Sequence, residues 1–103
     1  MAIRTGQEYQ QGLSKNPRDV WINGEHITNV VGHPIFTASI KEIAKLYDLQ
    51  HDPKFHDTMT FKSPTTGDPV ATGFLPPRSG NDIKKRSDTF RIIANATFGM
   101  MGR

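Results

Sequence analysis

The strongest helical pattern lies late in the chain. From Ser79 onward, Ile83, Phe90, Ile93, Ala94 and Thr97 recur at helical spacing, with Lys84, Lys85, Ser87, Asp88 and Arg91 largely between them. At 3.6 residues per turn this pattern predicts an amphipathic helix over 80–98, about five turns long. Ser79 is placed to cap it, and Asp82 stands where a capping box carries its acidic partner. A second stripe, Phe36, Ile40, Ile43 and Tyr47, widened by Ile35, Ala44 and Leu46, predicts a helix over 34–49. Pro34 sits at its first position, where a missing N–H costs nothing. These two stripes, with Ile83, Phe90 and Ile93 on the later one, are expected to supply the core.

Shorter elements fill the intervals. Thr5 and Glu8 have capping-box spacing, and Tyr9 and Leu13 share a face, so a short helix is expected over 6–14, ended by Lys15-Asn16-Pro17. Val20, Trp21, Ile22 and Ile27 flank Asn23-Gly24, the pair that supplies both positive-φ positions of a type I′ hairpin. Trp21 is expected to anchor packing there. Asp52-Pro53 reads as a cap and first helical position, predicting a helix over 53–57. Met59–Lys62 alternates like a strand, residues 63–69 have loop chemistry, and Val70–Leu75 is the expected returning strand before Pro76-Pro77. The fold class is therefore mainly α with small β-hairpins, in a single domain spanning 1–103.

Composition narrows the chemistry. The absence of cysteine excludes disulfides, thiolate metal sites and a cysteine nucleophile from these 103 residues. No apolar run approaches the ~20 residues of a membrane span, and the N-terminus lacks a signal-peptide pattern, so no membrane association and a cytoplasmic location are expected. The net charge of +3 is modest, and the one basic run, Lys84-Lys85-Arg86, is flanked by Asp82 and Asp88. It reads as a solvated helix face, with no nucleic acid as partner. His51 and His56 stand five apart with Pro53 between them, which does not put both rings on one helix face as a metal pair requires. His26 and His33 have no partners in sequence and are read as surface residues, so no metal is expected. The glycines between Gly67 and Gly73 lack a phosphate-loop pattern. No complete active site is legible from residue chemistry alone.

Several strings in order, EYQQGL, DVWINGEHITNV followed by HP, LYDLQHDPKFHDTMTFKSPTTGDPVATGFLPPRS and NATFGMMGR, resemble the N-terminal domain of the 4-hydroxyphenylacetate 3-hydroxylase family. The resemblance runs over essentially the whole chain. It implies a parent protein several times longer, with an acyl-CoA-dehydrogenase-like architecture: an α-rich N-terminal domain, a middle β-barrel and a C-terminal helical bundle, assembled as a homo-oligomer. It also implies the oxygenase half of a two-component monooxygenase. A reductase component would supply FAD as FADH2, and O2 would be used to hydroxylate a phenol such as 4-hydroxyphenylacetate to a catechol. In this family the Arg of GMMGR lines the phenol site, which implies a substrate-binding role for Arg103. The resemblance gives no catalytic, flavin-binding or metal-binding residue within these 103 residues. This chain by itself is therefore expected to bind no cofactor.

The apolar ending Phe98-Gly99-Met100-Met101-Gly102-Arg103 suggests a chain cut inside a larger protein. The related 4-hydroxybutyryl-CoA dehydratases carry an iron–sulfur cluster whose Cys ligands fall partly near the end of this region. The lack of Cys favours the hydroxylase branch. Two function classes follow: part of a flavin-dependent aromatic monooxygenase, or a non-catalytic stand-alone α-rich interaction domain.

Overall fold

A computed structural model describes residues 2–100. In chain order the elements are α1 (Gly6–Lys15), β1 (Val20–Ile22), β2 (Glu25–Ile27), α2 (Pro34–Leu49), α3 (His56–Met59), β3 (Thr60–Lys62), β4 (Pro69–Ala71), a 3-10 turn (Thr72–Phe74) and α4 (Gly80–Ala96). The chain is helix-rich with two antiparallel hairpins, β1–β2 and β3–β4, as the patterning predicts. It divides into two compact units: one is Arg4–Asp48, and the other comprises Ala2, Ile3 and the described residues from Leu49 onward.

In the first unit, α1 begins on a complete capping box. Thr5 Oγ1 accepts from the Glu8 N–H at 3.1 Å, and Glu8 Oε1 accepts from the Thr5 N–H at 3.2 Å. The Gly6 N–H, another orphan donor of this helix start, donates to Asp48 Oδ1 at 2.7 Å. The approach is so close that a Cβ on Gly6 would lie 2.5 Å from the Ala44 carbonyl oxygen. The carboxylate also complements the positive end of the α1 dipole. Tyr9 of α1 stacks on Tyr47 of α2 with centroids 4.8 Å apart, and the Arg4 guanidinium lies 5.3 Å from the Tyr47 ring centroid. On α2, Ile40 and Ala44 are buried.

The first hairpin has the expected turn, with Asn23 at φ 51° and Gly24 at φ 80°. Its register pairs Val20 with Ile27 and Trp21 with His26. This corrects the expectation for Trp21, which is 61% exposed. Side chains alternate across a strand, so turning Val20 and Ile22 inward turns Trp21 outward. There it stacks on the cross-strand His26 at 4.6 Å. Asp19 Oδ1 accepts from Trp21 Nε1 at 3.0 Å and lies 3.1 Å from His26 Nε2.

In the second unit three boundaries move. The helix expected over 53–57 forms instead at His56–Met59. Asp52 does cap, but its Oδ1 accepts from the Lys54 N–H at 2.9 Å, so the chain makes a tight turn before turning helical. Met59, assigned to a strand by alternation, ends that helix and is 1% exposed. The returning strand stops at Ala71, because Thr72 donates its hydroxyl to the Thr58 carbonyl at 2.9 Å and draws the chain into the 3-10 turn. The Ile3 N–H continues the hairpin edge by donating to the Pro69 carbonyl at 3.0 Å.

Helix α4 is capped by Ser79 Oγ, which accepts from the Asp82 N–H at 3.1 Å, and it ends at Ala96 rather than 98. It packs on α3 and on the 3-10 turn through a face centred near Thr89, Phe90 and Ile93. Ile83, expected in the core, is 60% exposed. At ~100° per residue it sits about 120° round the helix from Thr89, at the rim of the contact face and a turn too early.

These packings set the expected response to mutation. Ile40→Ala should cost about 2–5 kcal/mol, whereas Ile83→Ala should cost under about 0.5 kcal/mol. Gly6→Ala should cost about 1–3 kcal/mol despite its better helix propensity, because backbone atoms have to move. Urea unfolding of the three variants checks the order.

Candidate functional site

Helix α3 has only four residues, so each of its carbonyls needs a partner outside the helix. The Thr58 carbonyl has two. The Thr72 hydroxyl donates to it at 2.9 Å, and the Thr89 hydroxyl lies 2.8 Å away. Thr89 also reaches the Lys85 carbonyl at 2.9 Å, so its single proton is shared. Thr60 Oγ1 donates to the His56 carbonyl at 2.7 Å. Thr72 is fully buried, and Thr60 and Thr89 are nearly so. Three elements distant in sequence are thereby tied to one carbonyl oxygen.

Beside this knot lies Arg86. Its Nη1 donates to the Gly73 carbonyl at 3.0 Å and the Leu75 carbonyl at 2.8 Å, at the C-terminal side of the 3-10 turn. Its guanidinium stands 5.5 Å from the Phe90 centroid. The basic run thus splits. Lys84 is a solvated face, paired with Asp88 at 2.8 Å, and this hydrogen bond holds the Asp88 carboxyl below its usual range. Arg86 instead turns inward to bind backbone.

Met59, Thr72, Phe74, Arg86, Phe90 and Ile93 wall a cavity of about 540 Å³. Apolar walls with one oriented guanidinium suit a planar apolar group bearing an acceptor. Among the described residues no His, Asp or Glu lines the cavity, and Arg does not give up its proton. These described residues can bind and orient a ligand. A second furrow, about 730 Å³, runs along α1 and is walled by the long side chains of Gln7, Gln10, Gln11 and Lys15.

The histidines take structural places. His33 Nδ1 accepts from the Ile35 N–H at 3.2 Å and its carbonyl accepts from Phe36 and Thr37, which makes it the cap of α2. His56 Nδ1 lies 2.8 Å from the Gln50 carbonyl, so that nitrogen carries the proton. Among the described residues no group of three or more His, Asp or Glu converges to hold a metal ion. The Tyr9 phenol is pushed above its usual 10.0, first by burial and then by neighbouring Tyr47, against the opposing pull of Arg4. Sequence reasoning did not find the threonine knot or the inward Arg86. The one sequence-level candidate for substrate binding, Arg103, lies outside the described residues.

Comparison with known proteins places this geometry. Residues 5–103 match the family model for the N-terminal region of 4-hydroxyphenylacetate 3-hydroxylase. The oxygenase component of 4-hydroxyphenylacetate 3-monooxygenase from Thermus thermophilus is 36% identical over 100 residues, covering 97% of this chain and 20% of that protein. A crystal structure of such an oxygenase component, complexed with FAD and 4-hydroxyphenylacetate, superposes with a TM-score of 0.90 at 36% identity over 97% of this chain and 21% of its own. An oxygen-tolerant archaeal 4-hydroxybutyryl-CoA dehydratase from N. maritimus superposes less well, with a TM-score of 0.78 at 26% identity over 93% of this chain and 19% of its own. The chain spans about a fifth of the length of the curated relatives it matches.

Two outcomes are expected of this chemistry. Thr72→Val and Thr89→Val should each cost about 1 kcal/mol, and the double variant more than their sum by at least ~0.5 kcal/mol, because only then is the Thr58 carbonyl orphaned. A double-mutant cycle by urea unfolding measures the excess. For Tyr9, a raised folded pKa means that its contribution is intact below the unfolded value of 10.0 and is lost as pH rises through the folded value. Stability should therefore fall more steeply above pH 10.0 in the parent chain than in Tyr9→Phe, as read by unfolding at a series of alkaline pH values.

Proposed function

The chain belongs to the 4-hydroxyphenylacetate 3-hydroxylase N-terminal family, and we propose that it is the N-terminal domain, residues 1–103, of a reduced-flavin-dependent aromatic monooxygenase. The observation that carries this reading is the match over residues 5–103, supported by the 0.90 superposition on an oxygenase component complexed with FAD and 4-hydroxyphenylacetate. The reaction is hydroxylation of a 4-hydroxyphenylacetate-like phenol. One oxygen atom of O2 enters the ring carbon beside the phenol OH, the other leaves as water, and the two electrons come from FADH2, which is released as FAD. The flavin supplies the oxygen chemistry, and the protein binds and orients the phenol.

The relatives' designation as an oxygenase component supports a separate flavin reductase as partner. The same reading takes in a homo-oligomeric parent enzyme, a cytoplasmic location and a place in aromatic catabolism. No helix among the described residues is long and apolar enough to cross a membrane. A dehydratase-branch enzyme is the weaker reading, because the superposition is poorer and this sequence has no Cys for a cluster. Arg103 is assigned to the phenol pocket, where a guanidinium pairs with a carboxylate or donates to a phenol oxygen.

The test is a full-length oxygenase carrying this N-terminus, assayed with a flavin reductase, NADH and 4-hydroxyphenylacetate. Catechol formation is expected, and its absence overturns the reading. The 103-residue chain alone should form none. Arg103→Ala in the full-length enzyme should raise KM for the acidic phenol with a smaller change in kcat. An unchanged KM with a lowered melting temperature would reassign Arg103 to capping the end of a helix.

A further inference from the structure

The sequence contains two tyrosines, and the fold stacks one on the other. Tyr9 lies on α1 and Tyr47 near the end of α2, within the unit Arg4–Asp48. Their ring centroids are 4.8 Å apart and the planes are 20° from parallel. With faces in contact at about 3.5 Å, that separation leaves an offset of about 3 Å, so the edge carbons of one ring lie over the other. Both residues are half-buried. The pair is held from both sides. One turn before Tyr9, the Gly6 N–H donates to Oδ1 of Asp48, the residue after Tyr47, at 2.7 Å. The Thr5–Glu8 capping box fixes the first turn of α1 around that bond. Arg4 Nη2 donates to Tyr47 Oη at 3.4 Å, and Arg4 is exposed, so the Tyr47 hydroxyl has a route to solvent.

We propose that Tyr9 and Tyr47 form an oxidative coupling site, at which a one-electron oxidant joins the two rings into a dityrosine that staples α1 to α2. Each phenol gives up one electron and its O–H proton. The two phenoxyl radicals share their spin with the ring carbons beside the oxygen, and a C–C bond forms between one such Cε of each ring. The hydrogens on those two carbons then move, as protons, to the oxygens, and both rings regain their aromaticity. The chain loses two hydrogen atoms in all, and two equivalents of oxidant take the two electrons. A half-turn of either ring about its Cβ–Cγ bond exchanges its two Cε atoms, so each can face the partner. Two rings held in contact couple at an effective concentration far above the millimolar range of a flexible chain. The new bond closes the loop from residue 9 to residue 47 and so removes conformational entropy from the unfolded state. This site goes beyond the monooxygenase reading and does not depend on it.

The test is photo-oxidation of the 103-residue chain by a ruthenium(III) polypyridyl complex, generated by light with persulfate as the terminal electron acceptor. The native monomer should gain dityrosine fluorescence. Trypsin digestion should then release residues 5–15 linked to residues 46–54, lighter by two hydrogens than the two peptides together. With two tyrosines in the sequence, any dityrosine within one monomer is this pair. The yield should fall at least about tenfold in urea, where the stack is lost. Tyr9→Phe and Tyr47→Phe each keep an aromatic stack and should each abolish the link. The linked monomer should melt about 5 °C or more above the unlinked monomer recovered from the same reaction. A native monomer without the link overturns the proposal, and so does an equal yield in urea or a dityrosine found only between two chains. A linked monomer that melts no higher than the unlinked one overturns the staple.

Discussion

One carbonyl oxygen organises the second unit. A helix of four residues cannot satisfy its own backbone, so α3 survives only if its carbonyls find donors elsewhere. Thr72 and Thr89 bring those donors to Thr58 from positions 14 and 31 residues away. Because the groups are buried, losing both partners costs the full desolvation of an orphan acceptor rather than the small net value of a hydrogen bond. Arg86 repeats the logic one step out, giving one Nη1 to the carbonyls that the 3-10 turn leaves open. Polar satisfaction here does work that a larger apolar core does elsewhere. Among the described residues the buried hydrophobic side chains are only Ile27, Ile40, Ala44 and Met59.

The unit from Arg4 to Asp48 solves the same problem with a glycine. Gly6 lets the start of α1 reach the last turn of α2, where Asp48 accepts its N–H and the Ala44 carbonyl fills the space a Cβ would need. Stacked Tyr9 and Tyr47 close the pair at the next turn. Burial and the neighbouring phenol raise the Tyr9 pKa together, so contact geometry and titration report on one arrangement. In both units a helix terminus, the place where backbone groups are short of partners, decides where the next element sits.

What the sequence made legible follows from the range of the interactions. The α2 stripe, the Thr5–Glu8 capping box, the Ser79 cap and the Asn23-Gly24 turn are local, and each appears where the pattern puts it, except that Ile35 at the start of α2 is exposed rather than widening the stripe. Trp21 was misread because its aromatic bulk suggested burial, whereas strand alternation turned it outward. The boundaries near Met59 and Ala71 moved because distant threonines bond the Thr58 carbonyl and compete with local propensity, leaving no mark within a short window, whereas the one near Asp52 moved through the local turn that Asp52 makes with Lys54. Arg86 was hidden in a Lys-Lys-Arg run whose first member is a solvated cation. The family itself was legible in the ordered strings, because together they encode a tertiary arrangement that periodicity cannot express.

Arg86 shows how backbone contacts make a guanidinium part of the scaffold. Arg86 is half-buried and bound to backbone carbonyls through Nη1, and its face lies near Phe90. Such a guanidinium fixes a loop first and meets a ligand only with its remaining donors. A substrate arginine has the opposite requirement: it must keep its paired donors free in the plane that a carboxylate or phenolate will occupy. Charge alone does not distinguish these roles, and backbone satisfaction does.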